Sequence, residues 1–423
     1  MYNTCVAGSH VVLLSNIIKV LTDGGHTVDL IVARMNSAVK NVDQKHARRT
    51  VVVDFPNMDS PWNRRIGDIN DPLEDHSSSN PFKLLFNVFM DVNEELCPLV
   101  LDSPDVHSLL STNTYDIALV MTFDFCAAGL MHRYGIKPVT GYSTSILFYF
   151  QILHGGYPEL PLYENMILDT PPRVDRSRFI DRTITLAQSL YERWSHMGQL
   201  ERANEIFRSR FGQDFPDLGI ISQQFTYDFI NSNPLLDEPR PISPRIKSYG
   251  GLGIAKPKPL DKKFVSVLES ARNGTVIFSF GTQVPAEKIS RIMTIFRDAF
   301  AAVRLGTGIA LDKTKLSVEV VVEALSQLLH NPSYMERSRE LRAKLEDSPD
   351  KPEQVLLQNI AFAAKHKDLH SHFLLEGARH NFFAAHGYDS MIFLFSLFVL
   401  FSCIIIRLFV YMISIPLAKL KRE

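Results

Sequence analysis

The 423-residue sequence predicts an α/β protein built on a parallel sheet, followed by one membrane-spanning helix. Three observations predict it. Short β-branched, apolar runs alternate with helical stretches through the first half of the chain, which is the pattern of strands joined by crossover helices. The stretch Asn273-Gly-Thr-Val-Ile-Phe-Ser-Phe-Gly-Thr282 reads as turn, strand and small-residue turn before a helix from Glu287 to about Phe300. That order presents backbone N–H groups to a phosphate in α/β folds. Finally, Met391 to Ile406 is almost unbroken apolar sequence, and Leu408 to Ile415 extends it past Arg407. Together they exceed the roughly 20 residues a helix needs to cross a bilayer.

The elements follow in order. Val11 to Thr22 carries a helical apolar pattern and stops at Gly24-Gly25. Val28 to Val32 and Thr50 to Phe55 read as strands, and Pro56 to Asn80, rich in turn formers, as a long loop or lid. Pro81 to Leu101 reads as a helix, Asp116 to Thr122 as a strand, Cys126 to Tyr134 as a helix and Pro138 to Tyr142 as a strand. Several prolines make Tyr157 to Pro172 irregular, and Phe179 to Phe211 is a long helical region. Ile230 to Asn233 is expected as a strand leading into a proline-rich linker, Pro234 to Pro244, which is a natural domain boundary. Lys247 to Gly250, Val276 to Phe280 and Gly308 to Leu311 are the strands expected beyond it. Arg407 inside the apolar span is costly unless it snorkels to the nearer interface. The tail Lys419-Leu-Lys421-Arg-Glu423 is basic, so the positive-inside rule places it in the cytosol. Its lysines fit a dilysine retrieval signal and ordinary stop-transfer charge equally well.

Composition bounds the function. Lys plus Arg number 45 against 46 Asp plus Glu, which argues against a nucleic-acid partner. The four cysteines, Cys5, Cys97, Cys126 and Cys403, have no CxxC spacing, which argues against a zinc site or a disulfide scaffold. No secretory-signal pattern opens the chain at Met1. Asn273-Gly-Thr275 is a glycosylation sequon that a tight turn explains as well.

Two residues stand where α/β proteins bind ligands, at the carboxyl ends of strands. His10 follows Gly8-Ser9 at a strand-to-helix turn; it fits a general base or a helix-capping or exposed histidine. Asp124 follows the 116–122 strand; it fits a carboxylate that orients an imidazole or a helix N-cap before Cys126. Gly281 and Thr282 fit a phosphate contact or an ordinary turn. His366, His370, His372, His380 and His386 cluster before the apolar span without fixed acidic or cysteine partners, so metal binding is the weaker reading.

In order, several segments resemble the nematode-type UDP-glucuronosyltransferase family, membrane-anchored glycosyltransferases of the two-Rossmann (GT-B) kind. Gly8-Ser9-His10 with Gly25-His26-Thr-Val-Asp-Leu30 is similar to the family's opening βαβ unit. Thr122-Phe-Asp124-Phe-Cys-Ala-Ala-Gly129 through Gly135-Ile-Lys-Pro138 is similar to its acidic loop. Asn231 to Pro241 and Gly250-Gly-Leu-Gly253 are similar to its linker and following strand. Leu305 to Lys313, the Leu374 to Phe383 segment and the apolar end match too.

The resemblance implies an acceptor-binding Rossmann-like domain at 1–233, a linker at 234–244 and an incomplete nucleotide-sugar-binding domain at 245–386. A transmembrane helix at 387–415 and a basic cytosolic tail at 416–423 complete it. It implies His10 as catalytic base with Asp124 as its partner, Gly281 and Thr282 at the donor diphosphate, and no metal. It further implies UDP-glucuronic acid as co-substrate, a small lipophilic acceptor, and an endoplasmic-reticulum membrane location with a lumenal body where a signal peptide exists.

One departure accompanies it. The family's Trp-x-Pro-Gln, Thr-His-Gly-Gly-x-x-Ser, Gly-x-Pro and Asp-Gln belong between Phe300 and Leu305, and none is there. Trp62 and Trp194 precede Asn63 and Ser195, His154-Gly155-Gly156 precedes Pro158, and Asp43-Gln44 lies in a polar stretch. This pattern reads as an internal deletion. It leaves a second expectation beside the enzyme: a membrane-bound binding or regulatory partner of intact family members.

Overall fold

The computed structural model describes residues 1–68, 81–157, 178–237, 239, 241–254, 259–270, 307–309, 318–374, 382–385 and 387–420. The strands expected at Val276 to Phe280 and Gly308 to Leu311, the helix from Glu287, and Gly281 with Thr282 lie wholly or mostly outside these residues. Most of Tyr157 to Pro172 does too.

The first half alternates as expected: β1 (Tyr2–Cys5), α1 (Gly8–Asp23), β2 (Asp29–Arg34) and β3 (Arg49–Asp54). Then come α2 (Pro61–Asp68), α3 (Pro81–Leu101), α4 (Pro104–Thr112), β4 (Ala118–Met121), α5 (Cys126–Arg133), β5 (Val139–Tyr142) and α6 (Tyr149–Gly155). The long α7 (Phe179–Phe211) and short α8 (Leu218–Gln223) precede β6 (Asp228–Ile230) and β7 (Ile246–Ser248). The remaining helices among the described residues are α9 (Lys262–Ser270), α10 (Val318–His330), α11 (Ser333–Asp347), α12 (Pro352–Lys365), α13 (Leu369–Phe373), α14 (Phe382–Ala385) and α15 (Tyr388–Leu420).

Among the described residues, seven strands form one sheet in the order β3-β2-β1-β4-β5-β6-β7, and every pairing is parallel. The central β1 and β4 are buried along their whole length, as strands covered on both faces must be. Edge strand β3 instead alternates buried and more accessible positions. Helix α1 ends where the backbone turns left-handed at Gly25 (φ 87°), a conformation that costs glycine little. The Gly24 N–H there donates to Val20 O at 3.0 Å and that of His26 to Leu21 O at 3.0 Å.

Three expectations are corrected. The 56–80 stretch is not all loop: Pro56–Met58 forms a 3-10 turn and Pro61–Asp68 is α2, with Trp62 in the core. The Lys247 strand, expected to open a second domain, is β7, the edge of the first sheet, in register with β6. Arg245 just before it is buried, and its Nη1 donates to Gly155 O at 3.3 Å. Helix α12 also returns to this body, packing Leu356, Ile360 and Ala363 into the common core. Compact units accordingly divide near residue 373: Met1–Gly155 with Glu159–Phe373, and Gly156–Pro158 with Leu374–Glu423. Pattern along the chain does not reveal this, because a three-residue strand has no period and its neighbour is chosen by the tertiary fold.

The third correction concerns cysteine. Cys97 in α3 and Cys126 at the start of α5 form a disulfide with Cα atoms 5.7 Å apart. Both are buried. Their spacing of 29 residues carries no motif; only the packing of α3 against α5 brings them together. Cys5 and Cys403 are free.

The second unit contains α15, whose Tyr388–Met412 stretch of 25 residues is long and apolar enough to cross a membrane. The expected apolar span thus forms one continuous helix.

Candidate active site

The sheet order reverses between β1 and β4: β1 is followed in sequence by β2 on one side, while β4 and β5 extend the other. Carboxyl ends of strands on either side of such a reversal frame a crevice where α/β proteins bind ligands. His10 lies in the first turn of α1, just after β1, and Asp124 just after β4. Residues Ser143, Thr144 and Ser145 follow β5.

His10 Nε2 is 3.2 Å from Thr144 Oγ1. Its Nδ1 is shielded from solvent, and among the described residues no partner meets it in full hydrogen-bond geometry. Burial holds the imidazole pKa down at about 4, with the Thr4 backbone pulling weakly the other way. A ring in this state is neutral at pH 7 and keeps a lone pair. Thr144 is itself held: Asn231 Nδ2 donates to its carbonyl at 3.0 Å.

Asp124 is buried and serves two partners. Its Oδ2 accepts from Thr4 Oγ1 at 2.8 Å. Its Oδ1 accepts from the amides of Cys126 at 2.9 Å and Ala127 at 3.3 Å, two first-turn donors of α5 that have no partner within the helix. Burial pushes its carboxyl pKa up, and these three hydrogen bonds oppose that shift. The expected carboxylate–imidazole hydrogen bond is therefore not what Asp124 makes here. Its oxygens are engaged by Thr4 and the α5 amides, and Thr4 on β1 lies between the two strand ends. The disulfide bears on the same place, because Cys126 both bonds Cys97 and donates its amide to Asp124.

An aromatic wall adjoins His10. The His10 and Phe123 rings are 6.4 Å apart, and Phe123 packs on Phe89 at 5.6 Å, Phe150 at 5.7 Å and Phe148 at 6.3 Å. Trp62 stands edge-on to Phe89 at 6.3 Å. Polar Gln151 crosses beneath, donating to Thr122 Oγ1 at 2.8 Å while its Oε1 accepts from the Phe148 amide at 3.0 Å.

Thus the structure brings His10 and Asp124 to one sheet edge, adds Thr4 and Thr144, and leaves Gly281 and Thr282 outside the described residues. Thr4 and Thr144 were missed because a threonine on or beside a strand is an ordinary β former. Among the described residues, no group of three His, Cys, Asp or Glu side chains is placed to hold a metal ion. His380 and His386 lie outside them.

The amino-acid sequence matches a known protein family. A family model described as UDP-glucoronosyl and UDP-glucosyl transferase matches residues 2–304 and 297–423. The chain belongs to this family of UDP-sugar glycosyltransferases. It is 23% identical over 289 residues to putative UDP-glucuronosyltransferase ugt-50 of Caenorhabditis elegans, covering 67% of this chain and 54% of that one. It is 22% identical over 306 residues to UDP-glucuronosyltransferase 1A7 of Mus musculus, covering 67% and 54%. The chain thus spans about half the length of these curated relatives. Among solved structures, the glycotransferase of kitacinnamycin superposes with a TM-score of 0.46 at 12% identity, covering 86% of this chain and 97% of that one.

Proposed function

We propose that the chain is a glycosyltransferase that moves glucuronic acid from UDP-glucuronate to small lipophilic acceptors, a conjugation that detoxifies them. One observation carries the reading: a neutral histidine at the switch point of a parallel sheet, beside an aromatic wall. An acceptor hydroxyl seated on Phe123 would meet His10. The imidazole takes the hydroxyl proton as the oxygen bonds to C1 of the sugar, and the C1–O bond to UDP breaks with its electron pair leaving on the diphosphate. Attack opposite the leaving group inverts C1, and no metal is needed. Stabilising the resulting imidazolium is the task for Asp124, reached by a small shift of the Thr4 contact; catalytic hydrogen bonds often tighten only with substrate present. Gly281 and Thr282 would meet the donor diphosphate.

The helix α15 serves in this reading as a single-pass anchor in the endoplasmic-reticulum membrane, with the body lumenal. The buried Cys97–Cys126 disulfide supports an oxidising compartment for the body. Protease digestion of sealed microsomes tests the topology: a body cleaved without detergent would reverse it.

A second reading is favoured by a specific observation. The two family matches meet at 297–304, where the sequence lacks every donor signature. On that reading the chain binds acceptor, or associates in the membrane with intact relatives as a homo- or hetero-oligomer, and transfers nothing itself. Calorimetric titration with UDP separates the two. Saturable binding supports the transferase, while a folded sample that binds no UDP and co-purifies with an intact relative supports the partner role.

A further inference from the structure

A neutral imidazole carries its proton on one ring nitrogen, and only the other nitrogen can act as a base. For His10 that choice decides whether the lone pair faces the crevice or the sheet. Asp124, the expected arbiter, has its oxygens engaged by Thr4 and the α5 amides. Two other groups flank the ring. The Thr4 backbone favours a proton on it, because a carbonyl oxygen can only accept. Thr144 Oγ1 lies 3.2 Å from Nε2. With Nε2 facing Thr144, the nitrogen left for the proton is the shielded Nδ1.

The Thr144 hydroxyl is presented by a loop that the far edge of the sheet holds in place. Strand β5 ends at Tyr142, and each of the next three residues is tied to β6 or to the residues that follow β6 and β7. The Ser143 amide donates to Phe229 O at 2.8 Å, and the Ser143 carbonyl accepts from Tyr249 Oη at 2.7 Å. The Thr144 carbonyl accepts from Asn231 Nδ2 at 3.0 Å, and the Ser145 carbonyl from the Asn231 amide at 3.0 Å. Ser143 and Tyr249 are buried, while Thr144 keeps some access to solvent. The backbone is thus anchored, and the Thr144 side chain is left to reach the His10 ring.

We propose that Thr144 is a positioning residue for His10: its hydroxyl donates to Nε2, keeps the proton on Nδ1 and so holds the lone pair at the nitrogen beside the crevice. An acceptor hydroxyl would bond the same nitrogen, so Thr144 occupies that place until the acceptor takes it. Asn231 and Tyr249 give the edge of the sheet a part in the chemistry, because they hold the loop that sets the tautomer. The inference rests on reading His10 as the base, and its test reads the ring directly, without turnover.

Heteronuclear NMR of the full chain in detergent micelles, isotope-labelled at the histidine nitrogens, reports which nitrogen carries the proton. His10→Gln identifies the resonances. The parent is expected to show a protonated Nδ1 and a bare, hydrogen-bonded Nε2. Thr144→Val keeps the branched shape and removes the hydroxyl, so the ratio of the two tautomers is expected to fall about fivefold, the weight of one net hydrogen bond. Thr144→Ser should restore the parent ratio. Asn231→Ala, which keeps the hydroxyl and frees its carbonyl anchor, should lower the ratio in the same direction. A proton on Nε2 in the parent would overturn the proposal without recourse to any variant. A ratio unchanged by both Thr144→Val and Asn231→Ala would overturn it equally. Failure to bind UDP bears on the transferase reading alone, since the ring spectrum needs no donor.

Discussion

At the scale of single residues, the site turns on what burial does to an imidazole. His10 is held neutral, near pKa 4, because its ring is largely withdrawn from water. In a family-length form carrying the donor segment, His10→Ala is expected to lower kcat by about 100-fold or more, the range of a lost general base. Unchanged turnover would remove His10 from the mechanism. Asp124 has a second duty that can be read without activity. Asp124→Ala leaves the Cys126 and Ala127 amides and the Thr4 hydroxyl without their acceptor, so it is expected to cost about 1–2 kcal/mol in urea unfolding. Asp124→Asn keeps an acceptor oxygen and should recover most of this; equal losses for both variants would deny the capping role. Both candidates were legible from their positions: Asp124 follows a recognisable strand, and His10 stands at a strand-to-helix turn. The partners of Asp124 were not, because Thr4 lies 120 residues away in sequence.

At the scale of elements, the Cys97–Cys126 bond joins the end of α3 to the start of α5 across 29 residues of chain. Loop-closure entropy for such a span amounts to about 3–4 kcal/mol in the unfolded state, before any relaxation. Cys97→Ser with Cys126→Ser should therefore lower stability by that order, and reductant should destabilise the parent but not the variant. Identical unfolding of parent and variant would show that the bond does not form. The neighbouring strands are equally tight. A Cβ on Gly141 of β5 would overlap Asp228 and Thr122, so Gly141→Ala is expected to cost about 1–3 kcal/mol by overpacking. A thermal midpoint unchanged by that substitution would contradict the described β5–β6 contact.

At the scale of the whole molecule, two buried histidines and the half-buried His10, all held neutral, make the fold acid-sensitive. Burial depresses His154 to about 3, aided by His196, and His196 to about 4, aided by Arg193; His10 is also near 4. Each folded value lies below the unfolded 6.5, so the folded chain binds fewer protons between these limits. The stabilisation is complete above pH 6.5 and is lost as pH falls toward 4. Each site contributes on the order of 1–2 kcal/mol to the loss between pH 7.5 and 5. Denaturation at both values checks this: stability that is flat or rises on acidification would mean the rings are solvated. His154→Phe, which can keep the packing against Phe125, should flatten the acid limb.

The sequence by itself determined the class of sheet, because strand and helix periods are local properties. It also delimited α3 and α7 at the residues where they begin and end, and marked α15 by an apolar run that needs no partner to be recognised. Tertiary structure alone decided that β7 and α12 belong to the first body, that Cys97 meets Cys126, and that Asp124 bonds Thr4 rather than His10. It also decided which face of α7 turns outward. Each of these joins residues far apart in the chain, where the choice of neighbour follows from packing and burial.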